Sequence, residues 1–247
     1  MTVRRGVERL PHAVLGLDSR RRKAAKIELL MGLADSSRPL RIREVGTGGG
    51  GIANYFGTHP TLRCDVVAVD VHDLREIDEG YRFVKVDGVE LPFENQSFDL
   101  VITNHVIEHV GDRSARLFHL REIHRVMKVG GSGYLAVPNR WMLVEPHYGL
   151  AFLSWLPRSL RTPYLRLMRR GRCYDCEPLT IPQLDSLLTD AGFAWRHLEV
   201  EALRAVLVIE GHHGVATRLV ARLPNRLLAF ARGAIPTLIC RIEHSSS

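Results

Sequence analysis

The chain has 247 residues, enough for one large domain, or one domain with a cap, around a sizeable core. Hydrophobic residues make up 45% and charged residues 25%, the balance of an ordinary globular protein. Lys and Arg number 34 against 27 Asp and Glu, so the formal net charge is +7. That charge favours anionic partners, whether phosphorylated substrates, nucleic acid or an acidic membrane surface, without choosing among them. The basic start, Met1 to Arg9, is not followed by an apolar stretch, so no secretory signal is expected. The longest apolar run, Leu227 to Cys240, is interrupted by Arg232 and Pro236, so no membrane span is expected. Cys64, Cys173, Cys176 and Cys240 suit a reducing cytoplasm better than a disulfide scaffold.

Residues 1–38 form a polar, Arg-rich extension in which Arg20 to Leu33 has helical periodicity, with Ala24, Ile27, Leu30 and Met31 on one side. From Leu40 to Val137 strand and helix patterns alternate. Strands are expected at Arg41–Val45, Asp65–Val69, Arg82–Val86, Asp99–Thr103 and Gly133–Val137. Helices are expected at Gly51–Thr58, Asp73–Glu79 and Ser114–Met127. Buried apolar strands separated by helices argue for a parallel sheet covered on both faces.

The stretch 139–179 differs. It holds Trp141, Trp155, Pro146, Pro157 and Pro163, with six arginines from Arg158 to Arg172, and reads as a cap. A helix then runs from Ile181 to Ala191, with Thr180 as N-cap, Pro182 in its first turn and Gly192 ending it. Trp195–Val200 and Pro236–Ile242 are the last two expected strands, and between them Gly214–Arg232 reads as a basic amphipathic helical pair hinged at Pro224. The expected division is 1–38 extension, 39–138 core, 139–179 cap, and 180–244 with a helical insertion at about 211–235.

Gly46, Gly48, Gly49, Gly50 and Gly51 follow a strand and open a helix. Glycines there permit positive φ and close approach of backbone to a ligand, and the helix offers free N–H groups. Such a turn at the carboxyl end of a strand is where open α/β sheets bind ligands. The spacing also satisfies G-x-G-x-x-G through Gly46, Gly48 and Gly51, with Asp70 where a dinucleotide site wants an acid. Glu44 argues against that reading, because a carboxylate at the mouth of the turn repels a pyrophosphate and attracts an ammonium or sulfonium.

Glu44-Val45-Gly46-Thr47-Gly48-Gly49-Gly50 resembles the first motif of class I S-adenosylmethionine-dependent methyltransferases, acid-x-Gly-x-Gly-x-Gly. Val66–Asp70 resembles their second motif, Asp87–Phe93 their third, and Ser97–His105 the fourth strand and site floor. Leu120–Pro138 resembles their next helix, turn and fifth strand; the likeness is close over about residues 40–138. It implies an α/β, Rossmann-like three-layer sandwich. Its seven-stranded sheet would be mostly parallel with an antiparallel last strand, and a helical cap would be added. It implies S-adenosyl-L-methionine as cofactor, held at Glu44, Gly46, Thr47, Gly48 and Gly50. Asp70, with Val71 beside it, would meet the ribose, and Asp87 with Gly88 the adenine, while Asn104 and His105 form the floor. A nucleotide-dependent oxidoreductase and a non-catalytic cofactor-binding relative are the alternatives.

Candidates for the acceptor side are fewer. His105-x-x-Glu108-His109 would share one helix face and resembles the metal-binding Glu-x-x-Glu-His of certain quinone-precursor O-methyltransferases. His105 stands where that motif has Glu, so no metal is assigned. Asn139 to Tyr148 follows the fifth strand, and His147, oriented by Glu145, could serve as a catalytic base. Cys173-x-x-Cys176 is half a zinc site. The basic, apolar cap suits a small-molecule or lipid-linked acceptor, methylated at oxygen, or contact with an anionic membrane surface at the inner face. Nucleic acid is disfavoured, with aromatics at 7% and no added RNA-binding module.

Overall fold

The computed structural model describes residues 16–34, 36–146, 148–210 and 235–245, together with Pro224, Leu228 and Gly233. The elements are α1 (Leu17–Met31), β1 (Leu40–Val45), α2 (Gly51–Gly57), β2 (Cys64–Asp70), β3 (Arg82–Lys85), β4 (Phe98–Asn104), α3 (Arg113–Val126), β5 (Met127–Pro138), β6 (Val144–Glu145), β7 (Leu150–Ala151), α4 (Arg158–Leu167), α5 (Ile181–Asp190), β8 (Phe193–His197), α6 (Glu199–Glu210) and β9 (Thr237–His244).

Seven strands form one sheet in the order β3-β2-β1-β4-β5-β9-β8, and β6 pairs with β7 in a separate hairpin. Strands β1 to β5 are parallel, whereas β9, the last in the chain, runs antiparallel to both β5 and β8. The continuous apolar runs of β2 and β4 fit strands buried on both faces. On one face Ile27 and Met31 of α1, Ile52 and Phe56 of α2 and Ala202 of α6 pack on the sheet. On the other Leu120, Ile123 and Val126 of α3 meet Leu184, Leu187 and Leu188 of α5. This is the expected three-layer α/β arrangement.

Side-chain caps start two of the helices, the expected Thr180 among them. Thr180 and Gln183 form a reciprocal capping box at α5. Asp112 caps α3 by accepting from Ala115 N at 2.9 Å.

Three expectations are corrected. Asp73–Glu79 is not a helix but an irregular segment. Its apolar residues are too few to bury a helix face, Leu74 is exposed, and Glu76 N and Ile77 N donate instead to Gly49 O at 3.0 and 3.4 Å. Strand β8 ends at His197, and α6 starts at Glu199, inside the expected strand Trp195–Val200. His105-x-x-Glu108-His109 does not lie on a helix: His105 has φ 59°, and only Ile107–His109 forms a single 3₁₀ turn. The basic pair at Gly214–Arg232 lies outside the described residues except at Pro224 and Leu228.

Candidate functional site

The carboxyl ends of β1 to β4 lie level, because Val45 pairs with both Val69 and Thr103, and Asp70 pairs with Lys85. Following the strand order, Asp87 comes just after β3, Asp70 ends β2, the glycine turn follows β1, and Asn104 ends β4 with His105 next. At about 4.8 Å per strand the row is roughly 15 Å long.

Glu44 is buried beneath the turn, not at its mouth. Its Oε2 accepts from Thr47 Oγ1 at 2.7 Å and from Ala53 N at 3.0 Å. The second bond satisfies a free N–H in the first turn of α2, so a strand residue does the work of an N-cap. Burial pushes the Glu44 carboxyl up to about 7, while those two hydrogen bonds and Arg20 oppose the rise.

Gly46 N and Thr47 N both donate to Val69 O, at 2.8 and 3.2 Å, which ties the turn to β2. Gly48 N donates to Asp70 Oδ2 at 2.9 Å, and His72 N donates to Asp70 Oδ1 at 3.1 Å. Gly46, Gly48 and Gly50 have φ of 76°, 53° and 83°. At Gly50 glycine is required twice over, since a Cβ would also strike the Tyr81 hydroxyl and Ile77 O. Val71, immediately after Asp70, is exposed, as are Asp87 and Gly88, and a Cβ at Gly88 would meet open space. Asn104 is buried, and His105 N donates to Ala136 O at 2.9 Å.

Helix α1 adds groups that the sequence reading left out. The Arg20 stem packs against Gly51, and its charge bears on Glu44. Lys23, one turn on, is pushed down to about 8, first by burial and then by Arg20 and Lys26, against the attraction of Glu108. The basic residues at i and i+3 of an N-terminal amphipathic helix were the available signal. What was missing was that α1 folds back over the turn.

A cavity of about 200 Å³ lies next to this edge, between the loop after β4 and the cap, with Glu108, His109, Arg158, Arg161, Tyr174 and Cys176 among its lining. Glu108 is fully buried, and neither of its carboxylate oxygens has a hydrogen-bond partner among the described residues. His105 Nδ1 is 3.4 Å from Glu108 Oε1. The ligand atoms of Glu108, His109 and Cys176 lie within 4.8 Å of one another, a mixed oxygen, nitrogen and sulfur set able to hold a cation. Burial pushes the Cys176 thiol up. Cys173 and Cys176 are free thiols. Glu145 is buried and its Oε2 accepts from Tyr148 N at 2.8 Å, holding the hairpin turn. His147 lies outside the described residues.

A Rossmann-like sheet with its last strand reversed, carrying an acidic residue, a glycine turn and a second acid along one edge, is the architecture of class I S-adenosylmethionine-dependent methyltransferases. Residues 43–135 match the family described as a methyltransferase domain, and the chain carries a domain of that class, with S-adenosylmethionine as its cofactor. Over 88 residues it is 34% identical to the ubiquinone/menaquinone biosynthesis C-methyltransferase of Xanthomonas oryzae, covering 34% of this chain and 33% of the relative. Over 135 residues it is 27% identical to the tRNA (carboxymethyluridine(34)-5-O)-methyltransferase of Saccharomyces cerevisiae, covering 49% of this chain and 46% of the relative. The chain thus spans less than half the length of both. Among solved structures, an S-adenosylmethionine-dependent methyltransferase from Mesorhizobium loti superposes with a TM-score of 0.56 at 19% identity, over 92% of this chain and 99% of that one. No helix among the described residues is long and apolar enough to cross a membrane.

Proposed function

We propose that the chain is an enzyme that transfers the methyl group of S-adenosylmethionine to oxygen on a small-molecule or lipid-linked acceptor. The observation that carries this is the row of Asp87, Asp70, glycine turn and Asn104–His105 along one sheet edge. Its donor set suits the cofactor. Carboxylates accept from hydroxyl, amino and ammonium groups, and the glycine turn allows close backbone approach.

Asp70 is assigned to the ribose hydroxyls, with Val71 beside it, and Asp87 with Gly88 to the adenine. Glu44, Gly46, Thr47, Gly48 and Gly50 shape the turn for the methionine end. Arg20 on α1, which packs on that turn, is assigned to its carboxylate. When bound, the cofactor supplies an electrophilic methyl group on a sulfonium. The protein's part is to position the acceptor and exclude water.

The acceptor is assigned to the cavity between Glu108 and the cap. Glu108 lines that cavity, and Lys23 of α1, on which Glu108 acts electrostatically and whose amine burial pushes down to about 8, is proposed to take the proton of an acceptor hydroxyl at mildly alkaline pH. At the hairpin His147 stays a proposed alternative base with Glu145 as its orienting partner, which a His147→Ala variant with full turnover would remove. A tRNA acceptor is the second reading, favoured by the yeast relative.

Two measurements test this. Calorimetry should give S-adenosylmethionine binding and none for NADH or NADPH; the reverse would sink the assignment in favour of an oxidoreductase. Incubation with methyl-labelled cofactor and fractionated lysate should place label in lipid or small-molecule fractions. Label confined to tRNA or protein would overturn the acceptor class, and cofactor binding with no labelled product in any fraction would point to a non-catalytic relative.

A further inference from the structure

The cap helix α4 buries Leu165 against Leu150 and Leu153, but it also buries an arginine and leaves apolar residues on its outer face. Arg161 is buried, donating through Nε to Leu156 O at 2.9 Å and through Nη2 to Ser154 O at 3.2 Å. Leu160, Pro163 and Leu167, at i, i+3 and i+7, share the outward face, and Leu167 is 78% exposed. A surface helix that meets only water carries polar residues at such outward positions.

The neighbouring hairpin does the same. Phe152 N donates to Leu143 O at 2.8 Å, and Val144 pairs with Ala151, which sets Leu143 opposite Phe152 at the end of the hairpin with Val144 next in the strand. All three are about half exposed. Trp155 packs edge-on against both Phe152 and Trp141, with centroids 5.1 and 5.5 Å apart, and both tryptophans are exposed. Phe152 has φ 58°, a conformation a bulky side chain rarely adopts. Tyr164 Oη donates to Ala151 O at 3.3 Å and joins α4 to the hairpin.

The charge around this apolar patch is mainly positive, with Arg158 paired to Glu177 at 3.0 Å. From Pro146 to Tyr174 the sequence has six arginines and no Asp or Glu. Arg158, Arg166, Arg169, Arg170 and Arg172 are exposed, and the Arg140 guanidinium lies 5.9 Å from the Trp141 ring.

We propose that the outer face of the β6–β7 hairpin and α4 docks on an anionic lipid bilayer. Leucines and aromatic rings enter the acyl boundary, and the arginines meet lipid phosphates. Nucleic acid would use the arginines but leave Leu143, Val144 and Leu167 facing water, so the apolar centre favours the bilayer. Because Arg158 and Arg161 also line the cavity under the cap, docking brings that cavity to the lipid surface. Vesicle binding needs no methyl transfer, so it can fail or succeed independently of the proposed reaction.

The test is co-sedimentation of the full chain with vesicles of phosphatidylcholine alone and of phosphatidylcholine mixed with phosphatidylglycerol. The expected result is binding to the anionic vesicles only, weakened by salt, with Trp141 and Trp155 quenched by brominated lipid. Leu143→Glu with Leu167→Glu, and separately Arg169→Glu with Arg170→Glu, should each weaken binding at least about tenfold. Circular dichroism and cofactor affinity, both unchanged, would show that these variants fold. No binding of the unaltered chain to anionic vesicles would overturn the proposal, as would full binding by the leucine variant. Displacement of the chain from vesicles by tRNA, with tRNA affinity lost in the arginine variant and kept in the leucine variant, would reassign the face to nucleic acid.

Discussion

The backbone N–H of Gly48 donates to Asp70 Oδ2 across 2.9 Å, so the carboxylate ending β2 is held against the turn that follows β1. Its other oxygen takes His72 N at 3.1 Å. The acid is therefore oriented by backbone donors. Asp70→Ala should weaken S-adenosylmethionine binding by tenfold or more, about 1.5 kcal/mol or above for a hydrogen bond to a charged group. Calorimetry on a folded variant with unchanged affinity would refute the assignment of Asp70.

Glu44 couples the turn to pH. Its carboxyl is raised from 4.5 to about 7 by burial, so the folded state holds a proton that the unfolded state has lost between those values. Stability should therefore fall as pH rises through that window, by at most about 3 kcal/mol. Glu44→Gln keeps an acceptor for Thr47 and Ala53 and has no proton to lose. Without cofactor, the melting temperature of the native chain relative to this variant should drop between pH 5 and 8. A pH-independent difference would contradict the buried, proton-holding state.

Gly50 and Gly88 make a matched pair. Gly50→Ala places a Cβ at φ 83° against the Tyr81 hydroxyl and Ile77 O, and should cost roughly 2–4 kcal/mol of stability. Gly88→Ala meets open space and should leave the melting temperature nearly unchanged. Thermal denaturation of both variants checks this, and equal losses would be the contrary result.

His197 clasps the far end of the sheet. Its Nε2 is 2.9 Å from Asp185 Oδ1 and its Nδ1 is 3.0 Å from Glu199 Oε1, and these contacts raise its pKa above the ordinary 6.5, Glu199 contributing most. A raised histidine stabilises fully below its unfolded pKa, and that stabilisation is lost as pH rises through the folded value. The destabilisation caused by His197→Gln should be largest below about pH 6.5 and shrink in alkaline buffer. Paired melting curves across pH would reveal it; a constant gap would deny His197 its charge.

Much of the fold was legible because its signals are local. The apolar runs of β2 and β4, the glycines after β1, and the Thr180 N-cap each act within a few residues. The segment Asp73–Glu79 misled because its charges and lone apolar residues allow a helix. It has too few apolar residues to bury a helix face, and the distant Gly49 carbonyl takes two of its N–H groups instead. Arg43 was equally hidden: it occupies a strand position buried against Phe93 and Phe98, with its guanidinium 3.2 and 4.5 Å from their rings and pushed down to about 8, first by desolvation.

By itself the sequence determined the alternation of strands and helices, the glycine turn and the order of the acids behind it, because periodicity and φ demands are properties of neighbouring residues. It also named the methyl donor through motif resemblance. Tertiary structure decided what lies over and beside that turn. It brought Arg20 of α1 back onto it, buried Glu44 beneath it, opened a cavity at Glu108 and turned Leu160 and Leu167 outward. Those outcomes depend on which faces of distant elements pack together, and burial is a property of the folded surface, not of residue spacing.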